Sequence, residues 1–198
     1  MNCFREAILG CCRTRNPYPR HHYYAAGSQS VALLIYGFPR TYHSLGEFTD
    51  LLYLLSRYDA NCTFFLAWDD LKKRGMTPIV REIIRSINIE GHEVALHFRH
   101  EICGHSTAQL RQDAAEALHF VQRVFGTTVR VAKVSCVLPD AATALESLGL
   151  TIVENYSGSR IVSFCDDAKL MQNVESTLDV LTYSQRPCVR LDTLLDEI

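Results

Sequence analysis

Long apolar runs are missing from this sequence of 198 residues. None approaches the roughly 18 to 20 residues that a membrane span needs, so no membrane-spanning segment is expected. The opening MNCFREAILGCCRTR has a short, interrupted apolar part and no clear small-residue cleavage site. It does not read as a secretory signal, and the expectation is an intracellular, cytoplasmic protein. An excess of one charge is also missing. With 20 basic and 22 acidic side chains the formal net charge is −2, which carries no footprint for nucleic acid or an anionic membrane. The eight cysteines contain no CxxC pair, so a structural zinc knuckle is not indicated. Cys62, Cys136, Cys165 and Cys188 lie in or beside apolar runs, where a reduced, buried cysteine acts as a small hydrophobe. Cys3, Cys11 and Cys12 are placed where acylation is conceivable. The sequons Asn61-Cys62-Thr63 and Asn155-Tyr156-Ser157 both fall at or near expected strands. There is no glycine-rich phosphate loop, no internal repeat and no low-complexity segment.

What is present is the pattern of one medium-sized globular domain. Residues 1–29, with Pro17, Pro19, HHYY and AAGSQS, read as an irregular tail and linker, and residues 30–198 as the domain. Strands are expected at 31–36, 61–66, 92–97, 129–134, 151–155, 160–164 and 188–191. The first, Val31 to Tyr36, is apolar throughout, as in a strand covered on both faces. Between the strands, apolar residues recur at helical spacing. Examples are Phe48, Leu51, Leu52 and Leu55, and then Ile79, Val80, Ile83, Ile84 and Ile87 behind Thr77-Pro78. Ser106 or Thr107 caps a helix that Gly126 stops, and Asp140 caps a short helix ended by Gly149. Alternating strands and helices with short loops give an α/β fold with a mostly parallel sheet or barrel.

The stretch richest in chemistry is Glu90-Gly91-His92-Glu93-Val94-Ala95-Leu96-His97-Phe98-Arg99-His100-Glu101. An alternating strand delivers His97 to its C-terminal end, and His100, Glu101 and His105 follow. Side chains leaving that end of a parallel strand line the reactive face of such folds, and imidazole with carboxylate is a usual donor set for zinc-like ions. His100 to His105 is not HExxH, because the second His is one residue too far along to share a helix face. His92 reads as a strand-start residue bonded to backbone, and His119 as a helix-surface or packing residue. Asp69-Asp70 before Lys72-Lys73-Arg74 reads as a capped, solvated turn. Trp68 and Tyr58 either line a groove or join the core beside Phe64 and Phe65. Cys165-Asp166-Asp167 ends a strand. There Cys165 is either a buried replacement residue or a nucleophile served by His97.

The order of a strand ending in a Pro-containing turn, Cys62-Thr63-Phe64-Phe65, Glu90-Gly91-His92-Glu93-Val94 to His97, Leu148-Gly149-Leu150 and a closing strand resembles the polysaccharide deacetylase family. This is the NodB-homology family, carbohydrate esterase family 4, whose corresponding strands read ATFF and EGHEIGNH. The tail Arg186-Pro187-Cys188-Val189-Arg190-Leu191 is similar to the family's ending, and the resemblance covers about residues 30–198. It implies an irregular (β/α) barrel of about seven mostly parallel strands. It also implies metal-dependent N-deacetylation of carbohydrates, a hydrolysis of non-peptide C–N bonds, with an N-acetylated glycan as partner.

Each departure from the family pattern falls on a position that the resemblance makes catalytic. Aligned on Pro39, Tyr36 and Gly37 replace the two carboxylates of TFDDGP. His97 matches the first metal imidazole, but Glu101 stands at the second, with His100 one residue early. The Arg and Pro-Tyr motif falls on Ala132-Lys133-Val134-Ser135-Cys136 and is unrecognisable. The segment carrying the fourth motif is largely absent between Glu154 and Ile161, and Cys165 replaces the general-acid His. Losing one acid or base group costs on the order of 10² to 10⁴ in rate. Tyr36 is no substitute, since an unperturbed phenol has a pKa near about 10. The expectation is therefore a deacetylase-like domain with impaired or absent catalysis. Two alternatives stand beside it. One is an active hydrolase with a rearranged divalent-metal site of His97, Glu101 and His100. The other is a non-catalytic module binding a glycan or a protein partner.

Overall fold

The computed structural model describes residues 29–38, 45–74, 77–99, 106–135, 140–153 and 160–197. Seven strands form its centre: β1 (Val31–Phe38), β2 (Cys62–Ala67), β3 (Glu93–Phe98), β4 (Val131–Val134), β5 (Thr151–Ile152), β6 (Ile161–Cys165) and β7 (Cys188–Val189). The helices are α1 (Leu45–Arg57), α2 (Trp68–Arg74), α3 (Pro78–Ile89), α4 (Thr107–Phe125), α5 (Ala141–Glu146), α6 (Leu170–Tyr183) and α7 (Leu191–Asp196). The sheet order is β5-β4-β3-β2-β1-β6, and every pairing among the described residues is parallel. β7 pairs with β1 only at Val31 and Ala32, before β2 begins at Leu33, and Asn61 N–H donates to the Cys188 carbonyl. β7 thus extends the line of β2 at the start of β1. The sheet curls into a half-barrel, the expected α/β architecture.

The curl separates two apolar layers by simple strand alternation. Leu33, Ile35, Phe64, Leu66, Val94, Leu96 and Phe98 point outward into a core shared with α1 to α6. Ala32, Leu34, Phe65, Ala95 and Val131 point into the barrel, where Leu191 and Leu194 of α7 close one end. Both faces being covered explains why β1 to β3 read as unbroken apolar runs. Phe64, Phe65 and Phe98 have no exposed surface, and burying each such side chain contributes about 1.5–3 kcal/mol.

Capping follows the sequence at two helices and departs from it at a third. The Thr77 side chain accepts from Val80 N–H and Pro78 opens α3, while Ser106 accepts from Gln109 N–H at the start of α4 and Gly126 ends it in the left-handed region. Asp140 precedes α5 as expected but makes no capping hydrogen bond, because it adopts a left-handed φ of 60°. Strand β5 stops at Ile152 and the last strand at Val189, where the chain turns into α7. His92 takes its expected role, its Nδ1 accepting from Cys62 N–H at 3.3 Å, and His119 is exposed on α4. Trp68 is buried against Phe120, a core position and not a groove. No described helix is long and apolar enough to cross a membrane.

Candidate functional site

At the C-terminal ends of the strands the lumen-facing positions become polar. Alternation from Leu34, Ala95, Val131 and Ile161 leads to Tyr36 on β1, His97 on β3, Lys133 on β4, and Ser163 and Cys165 on β6. Tyr36 is in register with Cys165 on one side and Phe65 on the other, and His97 is in register with Lys133. The Tyr36 and His97 rings meet edge-on at 5.7 Å between centroids. The Lys133 Nζ lies 4.0 Å from the centre of the Tyr36 ring. β4 is separated from β1 by two strands, so only the curl of the sheet makes this cation–π contact possible.

Burial sets the electrostatics of this mouth. It pushes the Tyr36 phenol up to about 12, against a hydrogen bond with Ser163 that pulls the other way. Burial also lowers the Lys133 ammonium, with the nearby Cys165 opposing. The His97 Nε2 lies 2.5 Å from Ser135 Oγ, just beyond β4. Cys165 is exposed, which corrects the expectation of a buried thiol, because β6 is an edge strand with its lumen face open. Cys165 is not hydrogen-bonded to His97 among the described residues.

Gly37, at a position to which the resemblance assigns a carboxylate, is crowded by Arg99. It is an extra residue in β1, at a register shift between Tyr36 and Phe38 against β2, and its φ is +77°. A Cβ built on it would stand 2.3 Å from Nη2 of Arg99. The guanidinium is held there by α2: its Nη1 donates to Asp70 Oδ2 at 2.9 Å, and Arg99 N–H donates to Asp69 Oδ2 at 2.9 Å. Asp69 and Asp70 therefore begin a helix and anchor Arg99, a correction to the solvated turn expected of them. Strand periodicity brings Tyr36, Gly37, His97 and Cys165 to one end of the barrel. Glu101, His100, His105, Cys136 and the sequon at Asn155 lie outside the described residues. In the other sequon Cys62 and Thr63 are buried in β2.

The residues that sequence reasoning missed are Arg99, Lys133, Ser135 and Ser163. A usable signal exists for two of them. Arg99 is the next lumen-parity position after His97, and Lys133 is the polar break in the Val129 to Val134 run.

The divalent metal implied by the resemblance is a poor match to the donors here. No group of three or more His, Cys, Asp or Glu side chains among the described residues could hold an ion. Where the resemblance puts a carboxylate there is a glycine facing a guanidinium, an ammonium stands on the strand beside that of the imidazole, and Nε2 of His97 is engaged by Ser135. A cation entering here would meet the Lys133 ammonium and the Arg99 guanidinium, the latter already paired with Asp70.

The chain matches no protein-family model and no curated protein. Solved structures do match. One is a mutant with restored enzymatic activity of a CE4 family pseudoenzyme, whose wild type is from Bacillus anthracis. It has a TM-score of 0.67 at 14% identity, covering 86% of this chain and 69% of that one. The Xyl-CE4 domain of a multidomain xylanase, from the hindgut metagenome of Trinervitermes trinervoides, gives 0.67 at 15% identity over 85% and 91%. A family 4 carbohydrate esterase from Bacillus anthracis gives 0.66 at 14% identity over 86% and 84%. At these identities the likeness shows the fold, and the fold is that of the CE4 polysaccharide deacetylases.

Proposed function

We propose that this chain is a divergent CE4-type domain in which metal-dependent N-deacetylation is lost, so that an N-acetylated glycan or a protein partner is held and not hydrolysed. The observation that carries this reading is the Arg99 guanidinium filling the space of a side chain at Gly37. Hydrolysis of an amide by a metal-bound water needs the ion, a base and an acid. Tyr36 stands where the resemblance puts the base, and burial takes its phenol further from neutrality. Cys165 stands where it puts the acid. Removing each group costs on the order of 10² to 10⁴ in rate. The loss of both, together with a cationic metal position, leaves no working route. Of the rearranged site of His97, Glu101 and His100, only His97 is among the described residues, and its Nε2 is engaged by Ser135 Oγ. A neighbour that is a CE4 pseudoenzyme fits a fold that outlasts its chemistry.

The test is acetate release from N-acetylglucosamine oligomers by the purified chain with zinc, cobalt or nickel, alongside metal analysis by mass spectrometry. Background acetate and far less than one ion per chain are expected. Turnover abolished by both His97→Ala and Glu101→Ala, with one ion bound, would overturn the reading.

A further inference from the structure

Two strands end the sheet: β5, with two residues, and β6, with five. A parallel ladder turns the N–H and C=O of every second residue toward the same neighbour. Ala32 N–H donates to the Arg160 carbonyl and Asp166 N–H to the Tyr36 carbonyl, which fixes the parity. Arg160, Val162, Phe164 and Asp166 thus face β1. Ile161, Ser163 and Cys165 turn their backbone groups to the open edge, where no partner for them stands among the described residues. Edge strands are ordinarily guarded by a charge, a Pro or a bulge. β6 reads Ile-Val-Ser-Phe-Cys in unbroken register and has none of these. The helix beside it is equally unguarded. α6 lies against β6, and its flank toward α1 carries the carboxylates, Glu175 paired with Arg57 and Asp179 bonded to Tyr58. The opposite flank, at helical spacing, is Asn173, Thr177 and Val180, uncharged throughout, with Val180 63% exposed.

We propose that the open edge of β6 is the contact between two copies of this chain, paired antiparallel about a two-fold axis at Ser163. The inference stands apart from whether deacetylation is lost. The pairing closes on itself: Ser163 meets Ser163 of the second copy, and Ile161 meets Cys165. In an antiparallel pair, opposed residues of this parity exchange both N–H···O bonds. Three donors and three acceptors from each chain therefore satisfy one another with none left over. Val162 of one copy then lies across from Phe164 of the other on the outer face, an apolar cross-strand pair. The uncharged flanks of α6 line up above them. The ends of the strand carry opposite charge, Arg160 before it and Asp166-Asp167 after it. Antiparallel pairing lays the Arg160 end of one copy along the Asp166 end of the other, whereas a parallel pairing sets like beside like. Arg160 is also paired with Glu197, so charge fixes the orientation and adds little strength. An unrelated extended segment would satisfy the hydrogen bonds alone. The second copy supplies the reversed end charges and the apolar pair as well.

The experiment is analytical ultracentrifugation of the full chain from about 1 to about 200 µM, with a reducing agent present so that no disulfide contributes. The mass is expected to rise from that of one chain, 22.4 kDa, toward that of two and to stop there. Ser163→Pro deletes an N–H that faces away from β1, so it spares the ladder within the chain and removes two bonds at the axis. Val180→Glu places a carboxylate on the uncharged flank of α6. Each is expected to weaken the dimer at least tenfold, while Tyr53→Glu, exposed on α1, leaves it unchanged. Amide exchange in the peptide spanning 160–166 of the unaltered chain is expected to slow at least tenfold between the lowest and the highest concentration. That measurement decides the matter even where Ser163→Pro fails to fold. A single-chain mass at every concentration overturns the proposal. So does a dimer that Val180→Glu does not weaken, or one that forms without slowing exchange at β6, since either places the contact on another face.

Discussion

The two ends of the barrel are built from opposite chemistry. At the base, where β2 and β3 begin, a carboxylate is buried and used. Thr63 Oγ1 donates to Glu93 Oε2 at 2.7 Å and accepts from Leu191 N–H at 2.9 Å, and Asp192 N–H also donates to Glu93 Oε2. This network fastens α7 across the lumen. At the mouth, the positions that the family resemblance fills with carboxylates hold Tyr36 and Gly37; Lys133 lies over the Tyr36 ring, and the carboxylates at this end sit behind them, Asp70 paired with Arg99 and Asp166 buried just after Cys165. An acid is thus retained where it joins elements of the fold. The comparison teaches that the carboxylate at the base is spent on joining β2, β3 and α7, whereas Tyr36 and Gly37 at the mouth offer no carboxylate to a ligand.

The largest expected effect lies at the base. Thr63→Val removes a buried hydroxyl that serves two partners, leaving Leu191 N–H without an acceptor and Glu93 with one donor fewer. A loss of about 2–3 kcal/mol in urea unfolding is expected. A loss below about 0.5 kcal/mol would show that α7 is held by Leu191 and Leu194 alone.

A pH series sharpens the same contrast. Burial raises Glu93 from the usual carboxylate value of 4.5 to about 7, outweighing the two donors that favour the ion. Its Oε1 is buried without a hydrogen-bond partner among the described residues, and the proton has a place there. Because the folded-state pKa is raised, the folded chain binds a proton that the unfolded chain releases between pH 4.5 and 7. The Glu93 contribution is therefore fully present below about 4.5 and is lost as pH rises through about 7. At most it amounts to about 3 kcal/mol. Glu93→Gln should flatten the stability profile across that window; an unchanged slope would assign the titration to other groups.

At the mouth the effects are smaller. Gly37→Ala meets a positive φ and the Arg99 Nη2, but the guanidinium is the end of a flexible side chain and can swing away from Asp70. A cost of about 1–2 kcal/mol is expected, most of it from the backbone. Gly37→Asp alone should bind no zinc by calorimetry, because the new carboxylate pairs with Arg99. Measurable binding that appears only on combining it with Arg99→Ala would identify the guanidinium as the obstacle. The smallest effect is that of Lys133→Met. Removing a desolvated ammonium offsets the lost contact with Tyr36, so stability should stay within about 0.5 kcal/mol on thermal unfolding.

Much of the framework was legible because it rests on local rules. β1 to β3 announced themselves as unbroken apolar runs, and α3 and α4 by Thr77-Pro78, Ser106 and Gly126. What was hidden depends on the curl of the sheet. Period-two alternation says that Leu34 and Leu33 face opposite sides, but not which side is lumen. It cannot foresee that β4 bends far enough for Lys133 to reach Tyr36. Asp69 and Asp70 looked like a solvated pair because their partner, Arg99, is thirty positions away. Cys165 looked buried because its strand is apolar at Ile161, Val162 and Phe164, whereas exposure there comes from β6 lying at the sheet edge. Two of the three candidate metal ligands, His100 and Glu101, lie outside the described residues.

The base also gathers the two ends of the described domain. Ser30 Oγ donates to Glu197 Oε1 at 3.2 Å, Arg160 donates to the Ser30 carbonyl and is paired with Glu197, and Arg186 donates to the Gln29 carbonyl. Residues 29 and 197, the first and last described, therefore lie at one pole, the one opposite the mouth. An attachment made at either of these positions would leave the face bearing Tyr36, His97 and Lys133 on the far side of the sheet.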